Sequence, residues 1–394
     1  MNRKLLILII YPLLIVMLPG CWNRRELSSL SIVQAIGIDK TEDGQINLSI
    51  QIIKPGEIKS PSSKEGGGGS GQEAVWISAS TGKTFFDALR NATFESSRKL
   101  YLSHCTIVII GEEVAKSGIG PILDFWGRDH EPQLTSFILV AKGMAKDIIE
   151  GRHLQEKIPS KAIENLVKGT YATSKAPRVN FLDVLKSFYS KSSDPFITGI
   201  EITSKKSSVD LEKLIKLDHT AIFKKDKLIG WFNGKETRGL LWILNEVKSG
   251  ILVVKSPDDE DKDVSLEIIK ASSKVKPEII DGNIVITVDV KEEGNMGEQM
   301  ADVNLSKPDV LKELEARQAA VIKDEIQAAL NKAQREWGAD IFKFGEEIHR
   351  KFPKEWKKIE KRWDKEIRNI EVRVVVETKL RRTGLSIGPI NVKK

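Results

Sequence analysis

The stretch LSHCTIVIIGEEVAKSGIGPILDFWGRDHEPQLTSFILVA, residues 102–141, decides the fold class of the first half of the chain. Its two ends, Leu102–Ile110 and Gln133–Ala141, are rich in β-branched and apolar residues, which predicts two strands. Between them the pattern predicts a helix that starts near Glu112 and a second helix that carries Ile122, Leu123, Phe125 and Trp126. Strands that alternate with helices are typical of an α/β layered region.

The neighbouring segments continue this alternation. Upstream we predict a strand over Ile32–Asp39, a hairpin partner over Ile46–Ile53 and a third strand over Ala74–Ala79. A helix is predicted to start at Gly82-Lys83-Thr84 and to run to about Arg98. Downstream the predicted elements are helices over residues 145–149, 160–168 and 180–188, followed by a strand over residues 196–202.

One segment of the first half cannot form a packed element. KSPSSKEGGGGSGQ, Lys59–Gln72, has almost no apolar residues and consists mainly of Gly, Ser and Lys. Because a predicted strand resumes at Ala74, we expect a mobile loop inside a domain, and the composition does not reveal its role.

The second half carries strands first and long helices afterwards. A hairpin, Thr220–Lys224 with Leu228–Phe232, and a helix over Glu236–Val247 precede strands predicted at residues 250–255, 264–272, 274–280 and 283–291. A long uninterrupted helix is predicted over Ser306–Trp337, with Ser306 as its cap. Further helices over residues 340–351 and from residue 353, and a closing strand over residues 371–380, complete an α+β pattern.

These patterns together predict an α+β fold class, a multi-domain mixed α/β body. We expect an N-terminal α/β region over residues 21–205, with room for two subdomains, and a C-terminal α+β domain over residues 206–394 that contains the long helix 306–337. A length of 394 residues with 40% hydrophobic and 30% charged residues is consistent with packed cores and excludes wholesale disorder.

The first 21 residues resemble an export signal. Arg3 and Lys4 precede the apolar run Leu5–Leu18, which is about 21 Å long as a helix and therefore short of a hydrocarbon core of about 30 Å. The run ends at Leu18-Pro19-Gly20-Cys21, which resembles a bacterial lipobox, although Pro19 departs from the usual small residue. We expect residues 1–20 to be cleaved and Cys21 to be acylated; the alternative is an uncleaved anchor helix with a chance cysteine.

Charge and cysteine content limit the partners of the mature chain. The net charge of +7 falls to +5 when Arg3 and Lys4 leave with residues 1–20, a modest excess that fits an anionic membrane surface. The sequence contains no aromatic-rich basic motif of the kind that binds nucleic acid, so we predict no nucleic-acid partner. Cys105 is the second of two cysteines and lies in a β-branched run, so we interpret it as a small buried hydrophobe instead of a nucleophile.

Signatures of catalysis are scarce, and we predict no enzyme, no cofactor and no metal site. The five histidines have no metal-ligand spacing to one another. Gly66, Gly68 and Gly71 satisfy G-x-G-x-x-G only because they lie in a glycine run. Gly82-Lys83-Thr84 resembles the end of a P-loop, but Ile77 stands where the first glycine is required, so a turn and a helix start are the simpler interpretation.

The last predicted helix has one strongly charged face. Lys357, Lys358, Lys361, Arg362 and Lys365 are interspersed with acids and point away from a stripe formed by Trp356, Ile359, Trp363 and Ile367. A solvated face explains this pattern, and contact with lipid headgroups or an acidic partner is the alternative.

Four blocks of sequence, in order along the chain, resemble one known family. They are CWNRREL with the strand end Ile36-Gly37-Ile38-Asp39, the segment of residues 82–143, HTAIFKKDKLIGWFNGKETRGLLWIL, and the segment of residues 340–384. Behind a lipobox they resemble the Ger(x)C family, the lipoprotein C subunits of spore germinant receptors. Gln133 departs from the family, which often has an arginine nearby.

The resemblance implies more than the residues do. It implies a non-catalytic subunit on the outer face of the spore inner membrane, with a three-domain mixed α/β fold and integral-membrane A and B subunits as partners. In the family the nutrient is thought to bind mainly to the B subunit. The sequence does not identify the nutrient. As contact surfaces for the A and B subunits we expect the N-terminal domain nearest the anchor, and the helix Ser306–Trp337.

Two other functions are alternatives. A solute-binding lipoprotein of an ABC importer needs two similar α/β lobes, which the strands and long helices of the second half disfavour. A cell-envelope hydrolase needs a clustered acid/base or metal set, which the five scattered histidines disfavour.

Overall fold

A computed structural model describes residue 3 and residues 26–57, 74–151, 156–206, 211–301, 304–305 and 307–382 of the chain. The glycine-rich segment 59–72 and the proposed helix cap Ser306 lie outside the described residues. The elements fall into two sheets with helices packed against them, which confirms the predicted α+β class.

The first sheet has a parallel centre and antiparallel margins. Its strands are β1 (Leu30–Lys40), β2 (Ile46–Ile53), β3 (Val75–Gly82), β4 (Lys99–Tyr101), β5 (Ile107–Ile110), β6 (Phe137–Ala141), β7 (Phe196–Lys206), β8 (Leu211–Lys224) and β9 (Lys227–Phe232). The order is β3-β2-β1-β5-β6-β7-β8-β9, and β4 pairs with the start of β1. β1, β5, β6 and β7 are mutually parallel, because helices connect β5 to β6 and β6 to β7.

Helices cover both faces of this sheet. They are α1 (Phe85–Asn91), α2 (Glu112–Ser117), α3 (Gly120–Arg128), α4 (Ala145–Ile149), α5 (Pro159–Gly169) and α6 (Phe181–Tyr189). Alternate residues of β5 point to opposite faces: Val108 and Ile110 pack with α1, α2, α3 and α6, whereas Ile107 and Ile109 pack with α4 and α5. A strand buried on both faces explains the continuous apolar run in the sequence.

Several predicted elements are confirmed and others are shorter. β2 and α4 have the predicted bounds. The helix predicted from Gly82 to Arg98 was too long, because α1 ends at Asn91 and the chain then forms a short 3₁₀ turn, Ala92–Phe94, before β4. The strand predicted from Leu102 starts only at Ile107, since Leu102–His104 is also a 3₁₀ turn.

The second sheet carries all of its helices on one side. Its strands are β10 (Ile251–Lys255), β11 (Asp263–Ile280), β12 (Asn283–Gln299) and β13 (Glu371–Arg382), in that order, with β13 parallel to β12. The strands predicted at 264–272 and 274–280 are one strand, β11. It turns into β12 at Asp281 and Gly282, whose φ angles of 51° and 79° form the two-residue turn that fits a twisted hairpin.

The helices of the second half are α7 (Gly234–Ile243), α8 (Pro308–Ala329), α9 (Phe344–Lys351), α10 (Pro353–Ile359) and α11 (Trp363–Glu366). The predicted long helix is present from Pro308, but its last part, Leu330–Trp337, is a π-helix. Gly239 lets α7 approach α8 closely, because a Cβ there would lie 2.0 Å from the Glu325 carbonyl oxygen.

The two sheets share a hydrophobic core. Ile222 of β8 and Phe232 of β9, both fully buried, belong to the cluster that Leu252, Val288 and Trp242 form under the second sheet. Strand pairing of the first sheet continues past residue 205, the predicted boundary, through β8 and β9. The two halves of the structure are therefore the first sheet with its helices and the second sheet with its helices. The domain bounds themselves stay a prediction.

Candidate functional site

Cys21, the one site residue predicted from the sequence, lies outside the described residues. The described chain enters the fold at Glu26, whose carbonyl oxygen accepts from the Ser29 backbone N–H at 3.0 Å and caps the short 3₁₀ turn before β1. Among the described residues, no helix is both long and apolar enough to cross a bilayer.

Ile36-Gly37-Ile38-Asp39 fixes the start of α4 against β1. Asp39 is buried, and its two carboxylate oxygens accept from the backbone N–H groups of Ala145 and Lys146 at 2.8 Å each. Burial raises the pKa of Asp39, while these two hydrogen bonds lower it in part. Asp39 is thus a structural cap, a role that the strand pattern alone did not reveal.

Gly82-Lys83-Thr84 is a turn and a helix start, as predicted. The Thr84 side chain accepts from the Asp87 backbone N–H at 3.1 Å, and Asp87 accepts in turn from the Lys83 backbone N–H at 2.8 Å. A Cβ at Gly82 would lie 2.3 Å from the Ala88 backbone nitrogen, so the glycine is needed for close packing.

A pocket of about 840 Å³ opens beside this turn, at the end of β1 that carries Lys40. Its apolar lining comes from α1 and α3, with Phe85 and Phe125 in contact at a centroid distance of 4.8 Å. Charged residues surround that lining: Lys40, Lys83, Asp124, Arg128, Asp129 and Asp226. Such a pocket can accommodate an apolar group flanked by charges.

A buried polar cluster joins the two halves. The Lys224 ammonium group, at the end of β8, lies 2.9 Å from Asp194 Oδ2 and 2.8 Å from the Gly338 carbonyl oxygen. Asp194 Oδ2 also accepts from the Asp340 backbone N–H at 3.0 Å. Burial lowers the pKa of Lys224, but the charges of Asp194 and Asp364 outweigh that effect and raise it.

Asp340 is the most deeply buried acid of this cluster. Its carboxyl group accepts from the backbone N–H groups of Phe344 and Gly345 at 2.9 and 2.8 Å and from Trp363 Nε1 at 3.2 Å. Burial raises the pKa of Asp340 to about 7, against the opposite effect of these donors. Asp340 therefore anchors α9 and the Trp363 segment to one point.

A second buried ion pair holds α7 against α8. Arg238 donates through Nε to Glu325 Oε2 at 2.9 Å and through a second nitrogen to Oε1, and Trp242 Nε1 donates to Oε2 at 3.0 Å. The side chains of Arg238 and Glu325 are only 6% and 5% exposed. Three donors satisfy one carboxylate, which is the arrangement a buried charge requires.

Glu292 of β12 is buried beside the amide of Gln318. Within the part of the chain that the structure describes, neither carboxyl oxygen of Glu292 and neither amide atom of Gln318 has a partner at hydrogen-bonding geometry. Burial raises the pKa of Glu292 to about 8, an effect that the nearby amide lowers only in part. Burial thus favours the neutral form of the Glu292 carboxyl group.

A bulge in β8 brings three potential metal ligands together. The pairing register shifts between Gly199 and Glu201, and the ligand atoms of Glu201, Asp218 and His219 lie within 4.8 Å of one another. Sequence spacing among histidines alone did not reveal this group. Lys142 lies 3.2 Å from His219 Nε2, and Lys216 forms an ion pair with Asp218, so nearby ammonium groups compensate the carboxylates.

Two further sequence predictions concern single features. Cys105 is 2% exposed, and burial raises the pKa of its thiol to about 12, which confirms its interpretation as a buried hydrophobe. The lysines and arginine of the charged face at residues 357–365 are exposed, and Trp356, Trp363 and Ile367 are buried opposite them.

Comparison with known proteins places the chain in one family. Residues 23–202 match the model of the spore germination protein N-terminal domain, and residues 218–384 match the model named spore germination B3/GerAC like, C-terminal.

Relatives and a solved structure agree. Spore germination protein KC of Bacillus subtilis is 32% identical over 99% of this chain and 98% of its own, and spore germination protein B3 of the same organism is 23% identical over 88% and 89%. The crystal structure of the GerBC protein has the same fold, with a TM-score of 0.56 and 19% identity over 88% of this chain and 96% of that one. The chain therefore belongs to the Ger(x)C family of spore germination proteins, as its sequence blocks predicted.

Proposed function

We propose that this chain is the lipid-anchored, non-catalytic C subunit of a nutrient germinant receptor. In this proposal acyl groups on Cys21 hold the body on the outer face of the spore inner membrane, where it acts through contacts with integral-membrane A and B subunits. The observation that carries the proposal is the match to germination proteins along nearly the whole chain, within which the N-terminal family model begins at residue 23, just behind Leu18-Pro19-Gly20-Cys21.

Anchoring supplies the physical basis for such a role. A diacylglyceryl group holds a protein firmly, whereas a single acyl chain does not. Confinement to a thin layer raises the local concentration of the body near membrane partners, so that modest contacts suffice.

The polar groups with perturbed pKa values support a structural role. Asp39 and Asp340 satisfy backbone donors, and burial favours the neutral form of Glu292. The two halves also differ in architecture, one a mixed sheet covered on both faces and the other a four-stranded sheet with helices on one side. This difference disfavours the two matching lobes of a solute-binding lipoprotein.

A pull-down from spore inner membranes tests the proposal. The wild-type chain should copurify with two multi-span proteins, and Cys21→Ala should reduce membrane retention. Mass spectrometry should find a chain that begins at an acylated Cys21. Recovery of ABC permease subunits, or an unmodified thiol on a chain that still begins at Met1, would contradict it.

A further inference from the structure

The length of chain between Cys21 and the fold is short. Only four residues lie between Cys21 and Glu26, and the five steps from one Cα atom to the next span at most about 18 Å. Glu26 is itself fixed by its hydrogen bonds to Ser29, directly before Leu30 begins β1. If Cys21 carries acyl groups, the end of the first sheet at Leu30 must therefore lie close to the bilayer surface.

Elements brought there by the fold form one contiguous end. β4 runs parallel to the start of β1, so that Lys99 lies beside Leu30. The Ser96 hydroxyl lies 3.1 Å from that of Ser31, which places the exposed residues Ser97 and Arg98 at the same end. We call residues 26–31 and 96–99 the Leu30 end.

The composition of the Leu30 end suits lipid headgroups. Arg98 is exposed and forms no ion pair among the described residues, whereas Lys99 pairs with Glu131 at 3.4 Å. In the sequence, Arg24 and Arg25 offset the acids Glu26 and Glu95, which leaves Arg98 as a small positive excess. Arginine is attracted to anionic lipid headgroups at the membrane–water interface.

The opposite end of β1 is far from the acylation site. β1 has 11 residues, so Lys40 lies about 33 Å from Leu30. The side of the pocket lined by Lys40, Gly44 and Lys83 is at that distant end. At physiological ionic strength the surface potential of a membrane is screened over about 8 Å, so it does not reach Lys40 or Lys83.

We propose that the Leu30 end rests on anionic lipid headgroups, with Arg98 in contact, and that the Lys40 end of β1 faces away from the bilayer. This inference rests on the proposed acylation of Cys21. It assigns a membrane-facing surface and, with it, an orientation of the whole body.

Single-cysteine labelling tests this orientation. The full chain, made in a host that acylates exported lipoproteins, carries either Ser97→Cys at the Leu30 end or Glu42→Cys in the turn after β1. Both positions are exposed, and the native Cys105 is buried. A maleimide fluorophore is attached, and the protein is bound to vesicles of phosphatidylcholine and phosphatidylglycerol that contain headgroup-spin-labelled lipid.

We expect several-fold stronger quenching at Ser97→Cys than at Glu42→Cys. Equal quenching, or stronger quenching at Glu42→Cys, on protein that floats with the vesicles overturns the orientation and leaves the anchor intact. Protein that does not float overturns the anchor and the orientation together. A third outcome would assign the Leu30 end to a protein partner instead. In that case Ser97→Cys shows no quenching on vesicles, but membranes that contain the A and B subunits protect this cysteine from the maleimide.

A second measurement isolates the contact of Arg98. Arg98→Glu in the Ser97→Cys chain should lower its quenching several-fold, and the matched reversal Lys83→Glu at the distant end should not. Unchanged quenching in Arg98→Glu would remove Arg98 from the proposed surface.

Discussion

Lys224 and Asp194 form an ion pair at 2.9 Å that lies where the two halves of the molecule meet. The same ammonium group donates to the Gly338 carbonyl oxygen, and the same carboxylate accepts from Asp340, so both members contact the second half directly. The relative placement of the two sheets thus depends on a polar cluster as well as on the shared apolar core.

Removal of this lysine should destabilise the protein strongly. Lys224→Met leaves Asp194, 6% exposed, with an uncompensated charge, and we expect the free energy of unfolding to fall by about 2–4 kcal/mol. Urea unfolding followed by fluorescence measures this loss. Lys227→Met is the matched control, because Lys227 is exposed and should change stability by less than about 0.5 kcal/mol. Equal effects of the two substitutions would show that the pair contributes nothing.

The Arg238–Glu325 pair offers a different test, because both charges can be removed. Glu325→Gln leaves a buried guanidinium group without its counter-charge, and we expect a loss of about 3–5 kcal/mol. The double variant Arg238→Met, Glu325→Leu should lose less than the single variant. Thermal unfolding by circular dichroism, checked with a second probe, compares them. A double variant less stable than Glu325→Gln would refute the charge-burial explanation.

Asp340 should make stability depend on pH. Its pKa of about 7 in the folded chain is above the ordinary value of about 4, so the folded state retains the proton. The stabilisation is complete below about pH 4 and is lost as the pH rises to about 7, a difference of about 4 kcal/mol. Asp340→Asn should flatten this decline in urea-unfolding curves measured across the range. Glu292 accounts for part of the pH dependence of stability that remains, because its pKa is also raised in the folded state. An unchanged slope would contradict the assignment.

Glu292 should be dispensable for folding. Glu292→Leu removes a buried carboxyl group that has no hydrogen-bond partner among the residues of known structure, and we expect stability at pH 7 to rise by about 1–2 kcal/mol. Glu293→Leu, on the opposite face of the same strand, removes only the partly exposed pair with Arg381 and should have little effect. A loss of stability in Glu292→Leu would indicate that the carboxyl group has a partner or a role that its surroundings do not reveal.

Cys105 should resist thiol reagents in the folded state. The thiolate is the reactive form, and both burial and a pKa of about 12 suppress it. We expect the rate at which a disulfide reagent modifies Cys105 to be limited by the rate of unfolding. The exposed cysteine of Ser97→Cys should react without that limit. Rapid modification of the native thiol would exclude its place in the core.

Elements with a strong local pattern were predictable from the sequence, and elements set by distant partners were not. β2 alternates apolar and polar residues, and its predicted bounds are correct. By contrast, Lys99–Tyr101 becomes a strand only because it pairs with the start of β1, about seventy residues earlier. The change from α8 to a π-helix at Leu330 likewise leaves no trace in the apolar spacing.

The buried polar contacts were beyond prediction for the same reason. Nothing in the sequence around Lys224 distinguishes it from the other lysines, and its partner Gly338 is 114 residues away. The group of Glu201, Asp218 and His219 depends on a bulge, and a bulge has no distinctive residue in this strand. Cys105 and the Gly82 turn were predictable because their neighbours in sequence determine their surroundings.

The hairpin turn at Asp281 and Gly282 has a consequence for the order of folding. It joins strands of 18 and 17 residues that pair with each other across a two-residue turn, so this hairpin can form within microseconds. β13, in contrast, must return across about seventy residues of helix to add its parallel pairing, which is a slow step. The hairpin therefore serves as the template on which the last strand docks, and a kinetic defect in a Gly282→Val chain should appear in refolding before it appears in equilibrium stability.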